Sequence, residues 1–154
     1  MRKQKEQPIP PEFEPKLSPK EYSDILEKLE LRGISIDDLE ASVDRKAISN
    51  AKELPVEIAE SSSYEVDNNF IVHAELRAVC KLGRDECFRI KAVYSLVFDA
   101  NAVICDDFFE IFRVLNLPLT IWPFFRELVN STTSRMGIPA LTLPLQRTHA
   151  IADE

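Results

Sequence analysis

Residues 64–98 read YEVDNNFIVHAELRAVCKLGRDECFRIKAVYSLVF, and this stretch decides the fold. Over residues 64–82 the even positions are mostly apolar or small and the odd positions mostly charged or polar. A period of two over this length predicts one long strand with one buried face. Residues 83–86 form a turn, and apolar residues then resume at even positions through Phe98. The stretch therefore predicts a β-hairpin with one strongly apolar face.

Beyond the hairpin the hydrophobic period becomes helical. A short helix is expected from Asp106 or Asp107, acting as the N-cap, through Phe112. A longer helix is predicted over residues 119–135, where Pro123 is tolerated near the first turn. Strands followed by helices predict an α+β fold, in which an antiparallel sheet carries its helices on one face.

Upstream of the hairpin, one segment is clear and one is not. Residues 18–21 read SPKE, which combines an N-cap serine, a proline at the first helical position and a capping-box glutamate. A helix over about residues 19–29 is expected. Residues 29–53 fit a strand if Gly33 allows a bulge, and they fit a helix equally well. Periodicity alone leaves residues 37–52 undecided.

Length and charge exclude several classes of protein. The 154 residues suffice for one domain, expected over residues 18–145 between a flexible proline-rich arm (1–17) and a short tail (146–154). The formal net charge of −7 argues against a nucleic-acid binder, which needs a basic face. No apolar run approaches the roughly 18 residues that span a bilayer. The acidic excess lies in residues 21–69, as a solvated face or a docking surface for a basic partner.

No catalytic, cofactor or metal site is recognisable. His73 and Glu75 share one strand face but have no nucleophile beside them, so His73 is interpreted as a solvated side chain. With three glycines there is no glycine-rich phosphate loop, and two histidines make a His-rich metal site improbable. The cysteines are an odd number without CxxC spacing: Cys80, Cys87 and Cys105. They are expected to be reduced, in a cytoplasmic protein that is not an enzyme.

Aromatic residues are in excess between positions 108 and 125. They are Phe108, Phe109, Phe112, Trp122, Phe124 and Phe125. Core packing accounts for most of them, but a helix that is apolar on all sides cannot bury every face within a small domain. The surplus predicts either an oligomer interface or a groove for apolar ligands. This pattern is typical of a binding protein.

The C-terminal third resembles the SecB-type protein-export chaperones. The resemblance is carried by PFFRE at residues 123–127 and by SRMGIPALTLP at residues 134–144, and it covers about residues 64–145. It also favours a strand for residues 29–43. It implies a four-stranded antiparallel sheet with a long C-terminal helix packed on one face, assembled as a dimer of dimers. The implied activity is that of an ATP-independent holdase, which binds unfolded polypeptide in apolar grooves for export.

The resemblance also implies roles for individual residues. Phe124, which follows the helix proline, would line the client groove with Trp122 as its neighbour, and Phe70 and Leu128 complete the predicted client-binding set. Because helical residues two apart point to different faces, one of Trp122 and Phe124 is expected to pack inward. The predicted oligomer interface is the apolar face of the second hairpin strand: Phe88, Ile90, Ala92 and Tyr94. The implied partners are further copies of the chain, unfolded preproteins and the SecA translocation ATPase.

Two alternatives to an export holdase stay open. The short tail and the N-terminal arm are similar to those of divergent or toxin–antitoxin-associated members of the family, which favours a chaperone dedicated to an antitoxin. From a different class, a lipid or acyl binder would also suit an apolar sheet covered by helices. Neither alternative requires a cofactor or a metal.

Overall fold

A four-stranded antiparallel sheet with its helices on one face forms the domain. The computed structural model describes residues 16–49 and 51–145, so the predicted tail and all but two residues of the predicted arm lie outside the described residues. The elements in chain order are α1 (Pro19–Leu26), β1 (Leu29–Val43), α2 (Arg45–Ile48), β2 (Val56–Val66), β3 (Phe70–Leu82), β4 (Asp85–Ala100), α3 (Asp106–Leu115) and α4 (Leu117–Arg135). The predicted α+β class is confirmed.

The β3–β4 hairpin is the centre of the sheet, whose strand order is β1-β4-β3-β2. Gly83 closes the hairpin at a φ of 65°, which favours glycine. The single strand predicted for residues 64–82 is wrong, because Asp67-Asn68-Asn69 makes a turn that separates β2 from β3. Val66 pairs with Phe70 across this turn. Both residues are even-numbered, so the alternation runs through the turn unbroken and conceals it.

The undecided segment contains both a strand and a helix. Residues 29–43 form β1, which pairs with β4 through two register shifts, one at Arg32 and one at Asp37. The Asp44 side chain then caps α2 by accepting hydrogen bonds from the backbone N–H groups of Lys46 and Ala47. The strand therefore ends where a good N-cap residue begins a short helix.

The core lies between the central hairpin and the helices. Every even-numbered residue from Phe70 to Cys80 and from Phe88 to Phe98 is buried. Phe70 contacts Phe98 and Phe112, with ring centroids 5.5 and 5.7 Å apart. Burial of one such side chain stabilises the fold by about 1.5–3 kcal/mol. Most of the aromatic excess is core packing.

Two of the three cysteines are joined, which corrects the expectation of reduced thiols. Cys80 and Cys87 form a buried disulfide beside the hairpin turn, with Cα atoms 5.4 Å apart, and Cys105 is free. A register shift between Cys80 and Lys81 displaces the alternation beside the turn, so that Cys87 and Phe88 are both buried. An irregularity of this kind is invisible to a strict period of two.

Both C-terminal helices begin differently from expectation. The N-cap of α3 is Cys105, and Asp106 and Asp107 lie in the first turn, where carboxylates stabilise the helix dipole. α4 begins at Leu117, because Pro118 occupies one of the first positions, where its missing N–H has no helical partner. Pro123 therefore lies inside the helix.

Only Asn116 separates α3 from α4. Among the described residues, no single helix has the length and apolarity to cross a bilayer. α3 and α4 meet those criteria only when taken together, and they are bent by 46° at their junction.

Candidate functional site

α4 has three differently placed groups of side chains: a buried face and two flanks. Ile121, Phe125 and Val129 are buried against the core. One flank carries Trp122, Arg126 and Asn130, which bind the segment after the helix. A rotation of 100° per residue places Phe124 and Leu128 on the opposite flank. There Phe124 is 49% exposed and Leu128 is partly buried.

Residues 138–145, here named the strap, run back along α4. Gly137 makes the reversal with a φ of 76°, which favours glycine. Its N–H donates to the Ser134 carbonyl, and the Ile138 N–H donates to the Thr133 carbonyl at 3.4 Å. These two bonds form the Schellman motif that ends a helix and satisfies its last carbonyls.

The side chains of α4 hold the strap by its backbone. The Trp122 indole N–H donates to the Pro144 carbonyl at 2.8 Å, and Arg126 Nε donates to the Leu143 carbonyl at 2.8 Å. Trp122 is only 7% exposed. Its predicted place in an open client groove is therefore corrected, because the strap and the core enclose it.

Two further side chains of α4, Asn130 and Thr133, hold the middle of the strap. Asn130 Nδ2 donates to the Leu141 carbonyl and contacts Thr142 Oγ1, both at 3.3 Å. The Leu141 N–H donates to Thr133 Oγ1 at 2.9 Å. The Thr133 hydroxyl in turn lies 2.7 Å from the Val129 carbonyl, to which it donates. The strap is thus fixed on both sides of Leu141.

The edge strand β1 carries apolar side chains that the helices leave uncovered. Leu31, Ile36 and Leu39, here named the β1 strip, are 42%, 44% and 48% exposed. They lie opposite the buried residues Phe98, Tyr94 and Ala92 of β4. Because directly opposed residues of antiparallel strands share a face, the strip extends the buried face of the sheet out to the surface.

Tyr94 joins the strip to α4. It pairs with Ile36, and its hydroxyl is buried without a hydrogen-bond partner among the described residues. Burial, together with the negative charge of Glu127 on α4, raises the pKa of Tyr94 to about 12. Tyr94 is therefore the buried residue that borders the strip.

The remaining predicted site residues lie in the core. Phe70 is fully buried beneath α3, so no client reaches it in this structure. The four residues predicted to form the oligomer interface, Phe88, Ile90, Ala92 and Tyr94, are also buried within the single chain. That prediction is corrected, because the helices of the same chain cover this part of the face. Sequence reasoning missed the β1 strip, because it lies in the segment that periodicity left undecided.

The open face of the sheet carries a polar cluster around His73. Its Nδ1 lies 3.1 Å from Ser95 Oγ, and its Nε2 lies 3.3 Å from Glu65 Oε1. The Ser95 hydroxyl donates to Asp37, which the second register shift of β1 places there. His73 is therefore not simply solvated. Glu75 contacts Arg77 and Lys91 instead.

The cluster resembles a nucleophile–base–acid chain, but its surroundings do not suit catalysis. The Ser95 hydroxyl donates its hydrogen bond to Asp37 and not to His73, so the serine is not oriented as a nucleophile toward a histidine base. Ser95 lies on β4, which is paired on both sides, so the backbone N–H groups that an oxyanion hole needs are used by the sheet. Within residues 16–49 and 51–145, no group of three or more His, Cys, Asp or Glu side chains is placed to hold a metal.

Comparison with known proteins identifies the fold. No protein-family model and no curated protein sequence matches the chain. Among solved structures, the Mycobacterium tuberculosis SecB-like chaperone Rv1957, in complex with a ChAD peptide from the Rv1956 HigA1 antitoxin, matches with a TM-score of 0.70 at 17% identity, over 82% of this chain and 97% of that one. A Streptococcus agalactiae protein of unknown function matches at 17% identity over 76% and 97%, with a TM-score of 0.43. The first of these likenesses establishes a SecB-like fold for the chain.

Proposed function

We propose that the protein is an ATP-independent holdase chaperone that binds extended apolar segments of unfolded polypeptides. The observation that carries the proposal is the β1 strip. Leu31, Ile36 and Leu39 are about half-exposed at the edge of a sheet face whose two central strands, β3 and β4, are buried. Uncovered apolar area continuous with a core favours a binding surface.

The backbone of β1 offers a second means of binding. β1 is an edge strand, so its outer N–H and C=O groups pair with no other strand among the described residues. An extended client can add to this edge as a further strand and place alternate side chains on the strip. Burial at about 25 cal/mol per Å² of apolar surface drives such binding without nucleotide hydrolysis.

Phe124 and Leu128 form a second apolar surface for the same client. They lie four residues apart on the flank of α4 that faces away from the strap. Several weak sites on one protein gain avidity along a long unfolded chain. The fold family and the exposure of Phe124 both support its role in client binding.

Two client classes fit this surface, and the structural neighbour favours one. The SecB-like chaperone of M. tuberculosis is in complex with an antitoxin peptide, which supports an antitoxin segment as the client here. Unfolded preproteins bound for export, with SecA as the receiving ATPase, are the other class. Both would be met in the cytoplasm, which is the proposed location.

A second copy of the chain is the other proposed occupant of exposed apolar surface, as a dimer or a dimer of dimers. Light scattering at micromolar concentration measures the assembly directly. A mass well above 17.6 kDa is expected, and a monodisperse mass near that value contradicts oligomer formation.

The client proposal is tested by two aromatic variants measured together. Phe124→Ala is expected to weaken binding of an unfolded fluorescent peptide by about 1–2 kcal/mol, the scale of one aromatic contact, and to leave the melting temperature nearly unchanged. Trp122→Ala is expected to cost about 3–5 kcal/mol of stability because it empties a buried site. Fluorescence titration and thermal melts give both quantities.

The matched pair separates a binding role from a structural one. Equal losses of stability in the two variants would make Phe124 a core residue and contradict its role. A wild-type protein that fails to suppress aggregation of a refolding substrate at stoichiometric amounts would overturn the holdase proposal itself. An Ile36→Ser variant extends the test to the β1 strip, where weaker client binding is expected.

A further inference from the structure

The strap is held in the way that a chaperone holds a client. Trp122, Arg126, Asn130 and Thr133, here named the rail, are spaced by four, four and three residues along one flank of α4. Each makes a hydrogen bond to the backbone of the strap. Contacts to backbone carbonyl and N–H groups do not depend on sequence, so the same groups can bind any extended peptide.

The side chains of the strap alternate as those of a bound strand do. Leu141 is partly buried and Leu143 is 4% exposed, whereas Thr142 and Pro144 are exposed. An extended segment points successive side chains to opposite sides. The strap thus turns Leu141 and Leu143 toward the protein, and the rail holds its backbone.

The strap competes strongly with any free peptide for the rail, because it belongs to the same chain. Pro139 and Pro144 restrict its backbone to extended conformations, which lowers the entropy lost on docking. Gly137 ties it to the end of α4, and a short tether gives an effective concentration in the millimolar range. A free peptide must overcome this local concentration before it reaches the rail.

We propose that the rail is a second binding site for extended apolar polypeptide, occupied here by the strap as an internal ligand that a client displaces. The proposal rests on the holdase function but concerns a different flank of α4 from Phe124. Displacement would open the Trp122 side chain to the client and lengthen the apolar surface that one chain offers. The free energy of strap release then limits client affinity. Only molecules with a released strap can bind a client at the rail, so the apparent dissociation constant equals the intrinsic one divided by the fraction of such molecules.

The first test releases the strap in the full chain. Leu143→Asp removes the buried side chain that anchors the strap. Two probes are used: the labelled peptide IPALTLPL, which has the sequence of residues 138–145, and reduced, carboxymethylated lactalbumin. The variant is expected to bind both probes about tenfold more tightly than the wild type, because an internal ligand at millimolar effective concentration no longer competes. Leu145→Asp, at a residue 75% exposed, is the matched control and is expected to bind like the wild type.

A second measurement needs no variant. The Leu141 amide, which donates to Thr133, reports whether the strap is docked. Adding lactalbumin to the wild type is expected to speed hydrogen exchange at Leu141. Slower exchange at Leu141, or lactalbumin affinity that is unchanged or lower in a folded Leu143→Asp variant, would show that the strap is a fixed wall and overturn the proposal. If lactalbumin binds no form of the protein while IPALTLPL binds the variant, the holdase proposal fails and the rail stands.

Discussion

The two faces of the β3–β4 hairpin differ in burial and in side-chain chemistry, although the same two strands form both. On the helix side, Phe70, Leu76 and Ile90 are fully buried and the face is filled by apolar side chains. On the open side, His73 and Lys91 are partly exposed and contact charged groups of the neighbouring strands. The covered face is held by the packing of apolar side chains, whereas the open face combines partly exposed apolar residues such as Val93 with polar and charged pairs.

The difference shows where stability and binding reside. Exposed ion pairs such as Arg77–Glu75 contribute roughly 0–1 kcal/mol each. Buried side chains contribute several times more. The β1 strip has the chemistry of the covered face and the exposure of the open one, and the proposal of client binding rests on this combination.

The strongest test of this difference between the two faces is to introduce one carboxylate on each of them. Ile90→Asp is expected to unfold the domain, because a buried carboxylate without a partner costs several kcal/mol. Val93→Asp, three residues along the same strand on the open face, is expected to cost less than half as much. Urea denaturation followed by circular dichroism measures both. If Ile90→Asp instead leaves a folded monomer, Ile90 is an interface residue as the sequence predicted.

Reduction of the Cys80–Cys87 disulfide measures how much stability the turn end of the covered face contributes. This reduction is expected to cost about 2–3 kcal/mol, because a short loop in the unfolded chain is released. Thermal unfolding with and without reductant measures the change, and a Cys80→Ala/Cys87→Ala double variant should no longer respond to reductant. An unchanged melting temperature in the wild type would mean that the two thiols are not joined in solution.

Tyr94 gives the covered face a pH dependence of its own. Burial raises its pKa to about 12, whereas the unfolded group titrates near 10. The stability that this shift contributes is complete below pH 10 and is lost as the pH rises toward 12. Tyr94→Phe should lose less stability over this range and gain up to about 1 kcal/mol at pH 7, because an unpaired buried hydroxyl is removed. A steeper alkaline loss in the variant would contradict this account.

The smallest effect is expected at His73. His73→Gln should change the free energy of unfolding by less than about 1 kcal/mol, because its contacts to Glu65 and Ser95 are partly open to water. Denaturation at pH 7 is the measurement. A loss as large as that of the disulfide would mean that the open face contributes to stability as the covered face does.

The parts of this fold that could be predicted are those with a regular period. The alternation from Phe70 to Phe98 predicted the hairpin and its buried face, and the helical rotation predicted that Trp122 and Phe124 point apart. The turn at residues 67–69 preserved the phase of the alternation and so left no signal. The polar cluster could not be predicted either, because Asp37, Glu65 and Ser95 reach His73 from three other strands.

The strap was also beyond prediction, although its sequence carried the family resemblance. Trp122 and Asn130 bind backbone carbonyls, which every residue possesses. A pattern of side chains does not reveal contacts of this kind. The resemblance indicated that residues 134–144 matter, and only the geometry indicates what they touch.

The strand order has a consequence for how the protein is made. Within the part of the chain that the structure describes, β1 pairs with β4 alone, and Val43 leaves the ribosome 57 residues before Ala100, the last residue of that partner strand. At about 5–20 residues per second, the delay is about 3–11 seconds. During that time Leu31, Ile36 and Leu39 belong to a nascent strand without its partner. Such a strand, with apolar side chains open to water, resembles the clients of the proposed holdase.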